Sequence, residues 1–233
     1  MASDLFGGAR RFFHSAQGSP EQISGDGFRR FSTNEEAQQY GDRVWGDSAD
    51  RLPTDQHRAV RRFTLHSWPY TSLSRAENPQ RLLERLAGDS KLRGDLLELY
   101  DGRLPTLSEL RHDTALLNEA ASRPLTAGVE LHRSLSRVSF MKHYDGSDPR
   151  SLVGTLQTTS APMSASLGDP PLNPFRLHLL APPEQRGLWI GRSSSHPNQR
   201  EFLLPAGTGY HMKAAIPGPM YSWDLYGRLI PGV

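Results

Sequence analysis

The 233-residue chain contains no cysteine, which excludes disulfide staples, thiolate zinc sites and thiol nucleophiles and makes it compatible with a reducing compartment. Lysine is nearly as scarce. Only Lys91, Lys142 and Lys213 occur, so almost all of the 27 basic residues are arginines. Against 25 acidic residues they leave a formal net charge of +2. That is too little for a nucleic-acid footprint, although Arg10-Arg11, Arg29-Arg30 and Arg58 with Arg61-Arg62 form local basic clusters that a nucleic-acid-modifying enzyme would use. No stretch approaches the ~20 continuous apolar residues of a membrane span, and the opening MASDLFGGARRFF has no apolar core of signal-peptide length. Neither a span nor a cleavable signal peptide is therefore expected. Also absent are a Walker phosphate loop, a Gly-x-Ser-x-Gly elbow and a His-Glu-x-x-His motif. Gly207-Thr208-Gly209 lacks the third glycine and following helix of a dinucleotide fingerprint and reads as a turn. The nine histidines are scattered without ligand spacing, so no metal site is expected and nothing selects a Ser/His/Asp triad.

What is present divides into three textures. Residues 1–42 are rich in Gly, Ser, Gln and Arg and read as a flexible or extended lead-in, within which Phe6, Phe12, Phe13, Phe28 and Phe31 suggest local docking. From Trp45 to about Asn118 the chain reads helical. Thr54 opens a stretch with Val60, Phe63 and Trp68 on one side. Asn78-Pro79 opens a Leu82, Leu83, Leu86 stripe that Gly88 stops, and Ser90 opens another bearing Leu92, Leu96, Leu97 and Leu99. A last helix lies within Pro105 to Asn118. After Pro124 short runs broken by Pro and Gly predict strands at 127–134, 152–157, 175–180, 187–192, 201–204, 209–214 and 221–229. The fold class is α+β, helices first and strands after, with residues 43–233 as one domain.

Three polar features punctuate the strand half. Leu131-His132-Arg133-Ser134 ends the first predicted strand, Gln157-Thr158-Thr159-Ser160 ends the second, and Asn198-Gln199-Arg200-Glu201 leads into the apolar run Phe202-Leu203-Leu204. Taken singly, each is an ordinary strand-end surface feature. Their order and context resemble the Arg-Ser-Glu class of mono-ADP-ribosyltransferases, in which an arginine comes from the first core strand, a Ser-Thr-Ser run from the next, and a Glu-x-Glu or Gln-x-Glu pair precedes an apolar strand. Gly187-Leu188-Trp189-Ile190-Gly191-Arg192-Ser193 is similar to the strand that leads into that family's acceptor-recognition loop, and Trp45 with the Tyr70 to Arg75 stretch is similar to its helical cap. The resemblance spans about residues 43–214.

It implies two small, mainly antiparallel sheets packed around an NAD cleft, and NAD as the substrate with no metal. Arg133 would anchor the pyrophosphate by paired charge-assisted hydrogen bonds, with Ser134, Thr159 and Ser160 completing the NAD contacts. Glu201 would stabilise the oxocarbenium-like transition state, and Thr158 would hold Glu201 by hydrogen bonding. Gln199, two residues before Glu201 on an extended chain, would face the acceptor. Gln at that position implies an acceptor side chain other than arginine. The resemblance further implies a monomeric transferase acting on a host protein, and the arginine-rich, cysteine-free composition resembles secreted type III effectors of the HopO/XopAI type that work in the host cytoplasm. Three departures, Ser134 after the arginine, Thr158 for serine and Leu156 for an aromatic, leave open the alternative of a catalytically impaired interaction module. The loop Ser193 to Asn198 has little to bury and is expected to be mobile.

Overall fold

The computed structural model describes residues 27–75, 79–220 and 222–232. Phe6, Phe12 and Phe13 lie outside the described residues. Among the described residues six α-helices come first, namely α1 Asn34–Asp50, α2 Thr54–Leu65, α3 Trp68–Arg75, α4 Pro79–Gly88, α5 Ser90–Leu99 and α6 Leu107–Ala120. Eight strands follow as β1 Val129–Leu135, β2 Leu156–Thr158, β3 Met163–Ser166, β4 Phe175–Ala181, β5 Leu188–Trp189, β6 Glu201–Leu204, β7 Gly209–Pro217 and β8 Trp223–Ile230. The α+β class holds, with helices first and strands after. Among the described residues no helix is long and apolar enough to cross a membrane.

The strand order is β2-β7-β8-β4-β1-β3-β6-β5. The two sheets expected from the sequence are thus hydrogen-bonded into one order, but the link between its two parts is slender. β1 meets β3 at the single register pair His132↔Ser166, whereas β1 and β4 are paired from Val129↔Ala181 to Leu135↔Phe175. A sheet that barely pairs at one seam opens a cleft there, and the candidate site occupies this seam.

The boundary expected at residues 42/43 falls inside a helix. Thr33 caps α1, its hydroxyl accepting from the Glu36 amide at 3.2 Å while the Glu36 carboxylate accepts from the Ser32 amide at 3.0 Å. Such reciprocal capping satisfies amides that the first turn leaves unpaired and stabilises a helix by about 1 kcal/mol. Ala37, Tyr40 and Trp45 of α1 are buried in the sheet core. Gly41 lets α1 approach the sheet, because an added Cβ would lie 2.5 Å from the ring of Trp189 on β5. The same ring donates its Nε1 hydrogen to Asp42 Oδ1 at 3.2 Å, so packing and a polar bond fix one orientation.

Strands β5 and β6 serve two cores because successive residues face opposite sides. Trp189, Phe202 and Leu204 enter the sheet core with Leu131, Leu177 and Leu179. Leu188 and Leu203 enter a second core with Val60, Phe63, Leu86, Leu110 and Leu117 from the helices. At its centre the buried Asp113 carboxylate accepts from Tyr100 at 2.7 Å, from Tyr70 at 3.2 Å and from Arg62 at 3.2 Å. A carboxylate removed from water is tolerated only when paired in this way. Burial pushes both phenols well above their ordinary range, which keeps them protonated as donors.

Candidate active site

Arg133 is supplied by β1, Glu201 by the first position of β6, and between these strands runs β3. The Arg133 guanidinium donates to the Ser164 carbonyl. Glu201 is 6% exposed, and its carboxylate accepts a short hydrogen bond from the Ser194 hydroxyl. Burial raises the Glu201 carboxyl above the usual glutamate range, a shift opposed by the Ser194 hydroxyl, the charge of His196, a hydrogen bond with Ser164 and the charge of Arg133. The carboxylate is thus partly stripped of water yet held by the Ser194 hydroxyl.

Two cavities meet at Arg133. One, of about 200 Å³, is lined by Arg133, Ser134, Ser164, Ser166, Gln199 and Glu201 among others. The other, of about 320 Å³, is lined by Arg133, Met163, Thr158, Thr159, Ser160 and Tyr210 among others. A guanidinium at the junction of two clefts, the larger walled mainly by apolar side chains, suits a ligand that is long and anionic in the middle.

The residues expected from the sequence distribute themselves over these cavities. Arg133, Ser134, Gln199 and Glu201 share the smaller one, and Arg133, Thr158, Thr159 and Ser160 share the larger. Thr158 is not the partner of Glu201. It lies at the end of β2, paired with Gly209 of β7, on the far side of the order from β6, and Ser194 takes the role expected of it. The Thr159 amide donates to the Thr208 carbonyl at 3.0 Å, and the Ser160 hydroxyl lies 3.2 Å from that of Ser74 on α3. Ser134 accepts from Asn173 at 2.7 Å.

Gln199 reaches the site by another route than an extended chain. Pro197–Gln199 forms a 3-10 turn and Arg200 is left-handed at φ 50°, so the alternation argument does not apply. The Gln199 carbonyl instead accepts from Ser166 at 2.7 Å, and this bond seats the turn against β3. The loop from Ser193 to Asn198 is anchored rather than free of contacts. The Ser195 amide donates to Thr64 Oγ1 at 3.0 Å, and His196 Nδ1 lies 3.1 Å from the Thr64 carbonyl. Ser194 is buried while His196, Pro197, Asn198 and Gln199 are exposed, so the loop is pinned at its start and open at its tip.

Sequence reasoning passed over Ser164-Ala165-Ser166, on the strand that separates Arg133 from Glu201. The signal was available in the Ser-x-Ser spacing, which matches the Ser-Thr-Ser pattern of the resembled family at its two serine positions. Gln157, read from the sequence only as part of a strand end, clamps residue 142 with its buried amide by accepting from its N–H at 2.9 Å and donating to its carbonyl at 2.8 Å. That clamp fixes one wall of the larger cavity.

No family model and no curated protein sequence matches the chain. Several solved structures share its fold. Plx2a, an ADP-ribosyltransferase toxin from Paenibacillus larvae, superposes over 84% of this chain and 96% of its own with a TM-score of 0.63 at 17% identity. The C3 exoenzyme of Clostridium limosum covers 87% of this chain and 97% of its own with a TM-score of 0.65 at 14% identity. C3stau2 from S. aureus, solved with NAD, covers 88% of this chain and 99% of its own with a TM-score of 0.62 at 17% identity. With helices followed by a multi-strand sheet and the superposition extending over most of each chain, the chain has the ADP-ribosyltransferase fold of the C3 type.

Proposed function

We propose that this protein is an NAD-dependent mono-ADP-ribosyltransferase that moves ADP-ribose from NAD to a side chain of a host protein and releases nicotinamide. The observation that carries the reading is the buried Glu201 carboxylate, held by Ser194 across β3 from Arg133. In the reaction the bond from ribose C1′ to the nicotinamide nitrogen breaks, and its electron pair leaves with nicotinamide. Positive charge develops on the ribose ring, and a carboxylate in a low-dielectric pocket stabilises it far more than it would in water. The acceptor side chain then bonds to C1′ and gives up its proton.

Arg133, shared by the two cavities, is the anchor for the pyrophosphate. Thr159 and Ser160 line one arm of the ligand and Ser134 the other. Thr158 contributes to the wall of the larger cavity. Gln199, on the exposed turn beside Glu201, faces the incoming acceptor and favours a side chain other than arginine. The reading extends to a monomer delivered into a host cell, in keeping with the toxins that share the fold.

The test is transfer of labelled ADP-ribose from NAD to proteins of a host-cell extract, with the modified residue located by mass spectrometry. Labelling by the wild-type chain and none by Glu201→Ala supports the assignment. Equal labelling by both, or none by either while the fold is intact, removes it.

A further inference from the structure

The face of the sheet turned away from the main core carries a second polar centre that the transferase chemistry does not use. Glu130 and His132 are two residues apart on β1 and so point to the same side, while Leu131 between them enters the core. His132 is directly paired with His178 on β4. Three ligand-type atoms converge there. His132 Nδ1 and His178 Nδ1 are 3.2 Å apart, His178 Nδ1 is 3.1 Å from Glu130 Oε1, and His132 Nδ1 is 3.8 Å from the same oxygen.

Tetrahedral ligands at the usual zinc distances of about 2.0–2.1 Å are separated from one another by about 3.3 Å. The triangle formed by the two nitrogens and the oxygen has that size, and its three corners come from a single rigid strand pair. We propose that Glu130, His132 and His178 bind a divalent transition-metal cation of the zinc type, with the remaining coordination position open to solvent or to a ligand.

His178 Nε2 lies 3.2 Å from Asp224 Oδ1, an acceptor, so a neutral ring would carry its hydrogen on this nitrogen. In the neutral ring Nδ1 is then a lone pair, and it faces the Glu130 oxygen and the His132 nitrogen. Lone pairs aimed at one point repel unless a cation or a shared proton lies between them. A carboxylate that orients a ligating imidazole through its other nitrogen is the usual outer support of such sites. The second oxygen of Glu130 is held by Arg30, which leaves Oε1 directed at the histidines. Soft thiolates are absent from the chain, and two imidazoles with one carboxylate favour zinc, nickel or iron over magnesium or calcium. His132 also lines the cavity that contains Glu201, so the ion would sit beside the candidate active site without being part of the chemistry assigned to it.

The experiment uses the full, untagged chain, treated with chelator, loaded with zinc chloride and dialysed. Metal content is read by plasma mass spectrometry, stability by thermal melting and coordination by the visible spectrum of the cobalt(II) form. The expected result is about one zinc per chain, a Tm rise of roughly 5–10 °C at free zinc about a hundredfold above Kd, and intense cobalt bands of low coordination number. Magnesium chloride gives no shift. The pair of substitutions His132→Ala and Glu130→Gln abolishes retention and the shift, while His211→Ala, an exposed histidine on β7, preserves both. Wild-type chain that retains no zinc and shows no cobalt bands overturns the proposal, and so does undiminished binding in the double variant. The first of these outcomes would show that His178 is instead a proton-bearing bridge between Glu130 and Asp224. The cobalt spectrum of the wild type needs no variant to fold.

Discussion

The Ser194 hydroxyl donates to the Glu201 carboxylate from seven residues earlier in the chain, and Ser194 is itself buried. This contact couples the loop before β6 to the charge state of the proposed transition-state stabiliser. Ser194 also accepts from the His196 amide at 2.9 Å, so one hydroxyl orients both the carboxylate and the loop.

Replacing Ser194 by alanine removes a hydrogen bond that favours the ionised carboxylate. The Glu201 carboxyl, already raised by burial, then moves further upward. The acid limb of NAD turnover is expected to shift to higher pH, with activity at the optimum reduced about tenfold, a loss of roughly 1.4 kcal/mol typical of one hydrogen bond to a charged group. A pH profile with an unmoved limb would separate Ser194 from Glu201.

The same burial has a consequence for stability. Because the folded state raises the carboxyl, it holds the proton more tightly than the unfolded chain does. The favourable contribution is complete below the unfolded glutamate range and is lost as pH rises through the folded one. Above that window the ionised group costs stability, so Glu201→Gln is expected to melt higher than wild type at neutral pH, by roughly 2–4 °C for ~1 kcal/mol in a domain of this size. The difference should disappear in acid. Melting curves at the two pH values decide it.

Gly41→Ala tests the packing of α1 on the sheet. The added methyl would meet the Trp189 ring at 2.5 Å, and that ring is 1% exposed and tied to Asp42. Overpacking of this kind costs about 1–3 kcal/mol, read from the midpoint of urea unfolding. An unchanged midpoint would mean that α1 can move away without penalty.

Asp113→Ala leaves Arg62 and two phenols without their common acceptor in the helical core. Removing one partner of a buried ion pair is expected to cost about 3–5 kcal/mol. Hydrogen exchange should show the loss first in α2 and α6, which carry Arg62 and Asp113.

These expectations draw on residues that the sequence revealed to different degrees. The strand positions of Arg133 and Glu201 were legible because each borders an apolar run that packs into the core. The helical half was legible for the same reason. Strand β3 was not, since Met163-Ser164-Ala165-Ser166 offers one large apolar residue in four positions, and its strand character comes from pairing with β6. Thr158-Thr159-Ser160 was read in its place because it also ends a strand and is rich in hydroxyls. The start of α1 was missed through its polarity, although Thr33 followed by Glu36 is a capping signature. The approach of His132 to His178 was beyond reading, because only cross-strand register brings together residues 46 positions apart.

The most direct test of the account is hydrolysis of NAD by the purified chain without an acceptor, measured as nicotinamide release, with NAD binding measured in parallel. The wild type is expected to release nicotinamide, and Glu201→Ala to lose about 10²–10³ of that rate, the effect of removing a group that acts on transition-state charge. Its affinity for NAD should persist because Arg133 remains in place. A wild-type chain that neither binds NAD nor releases nicotinamide, while folded, would contradict the account.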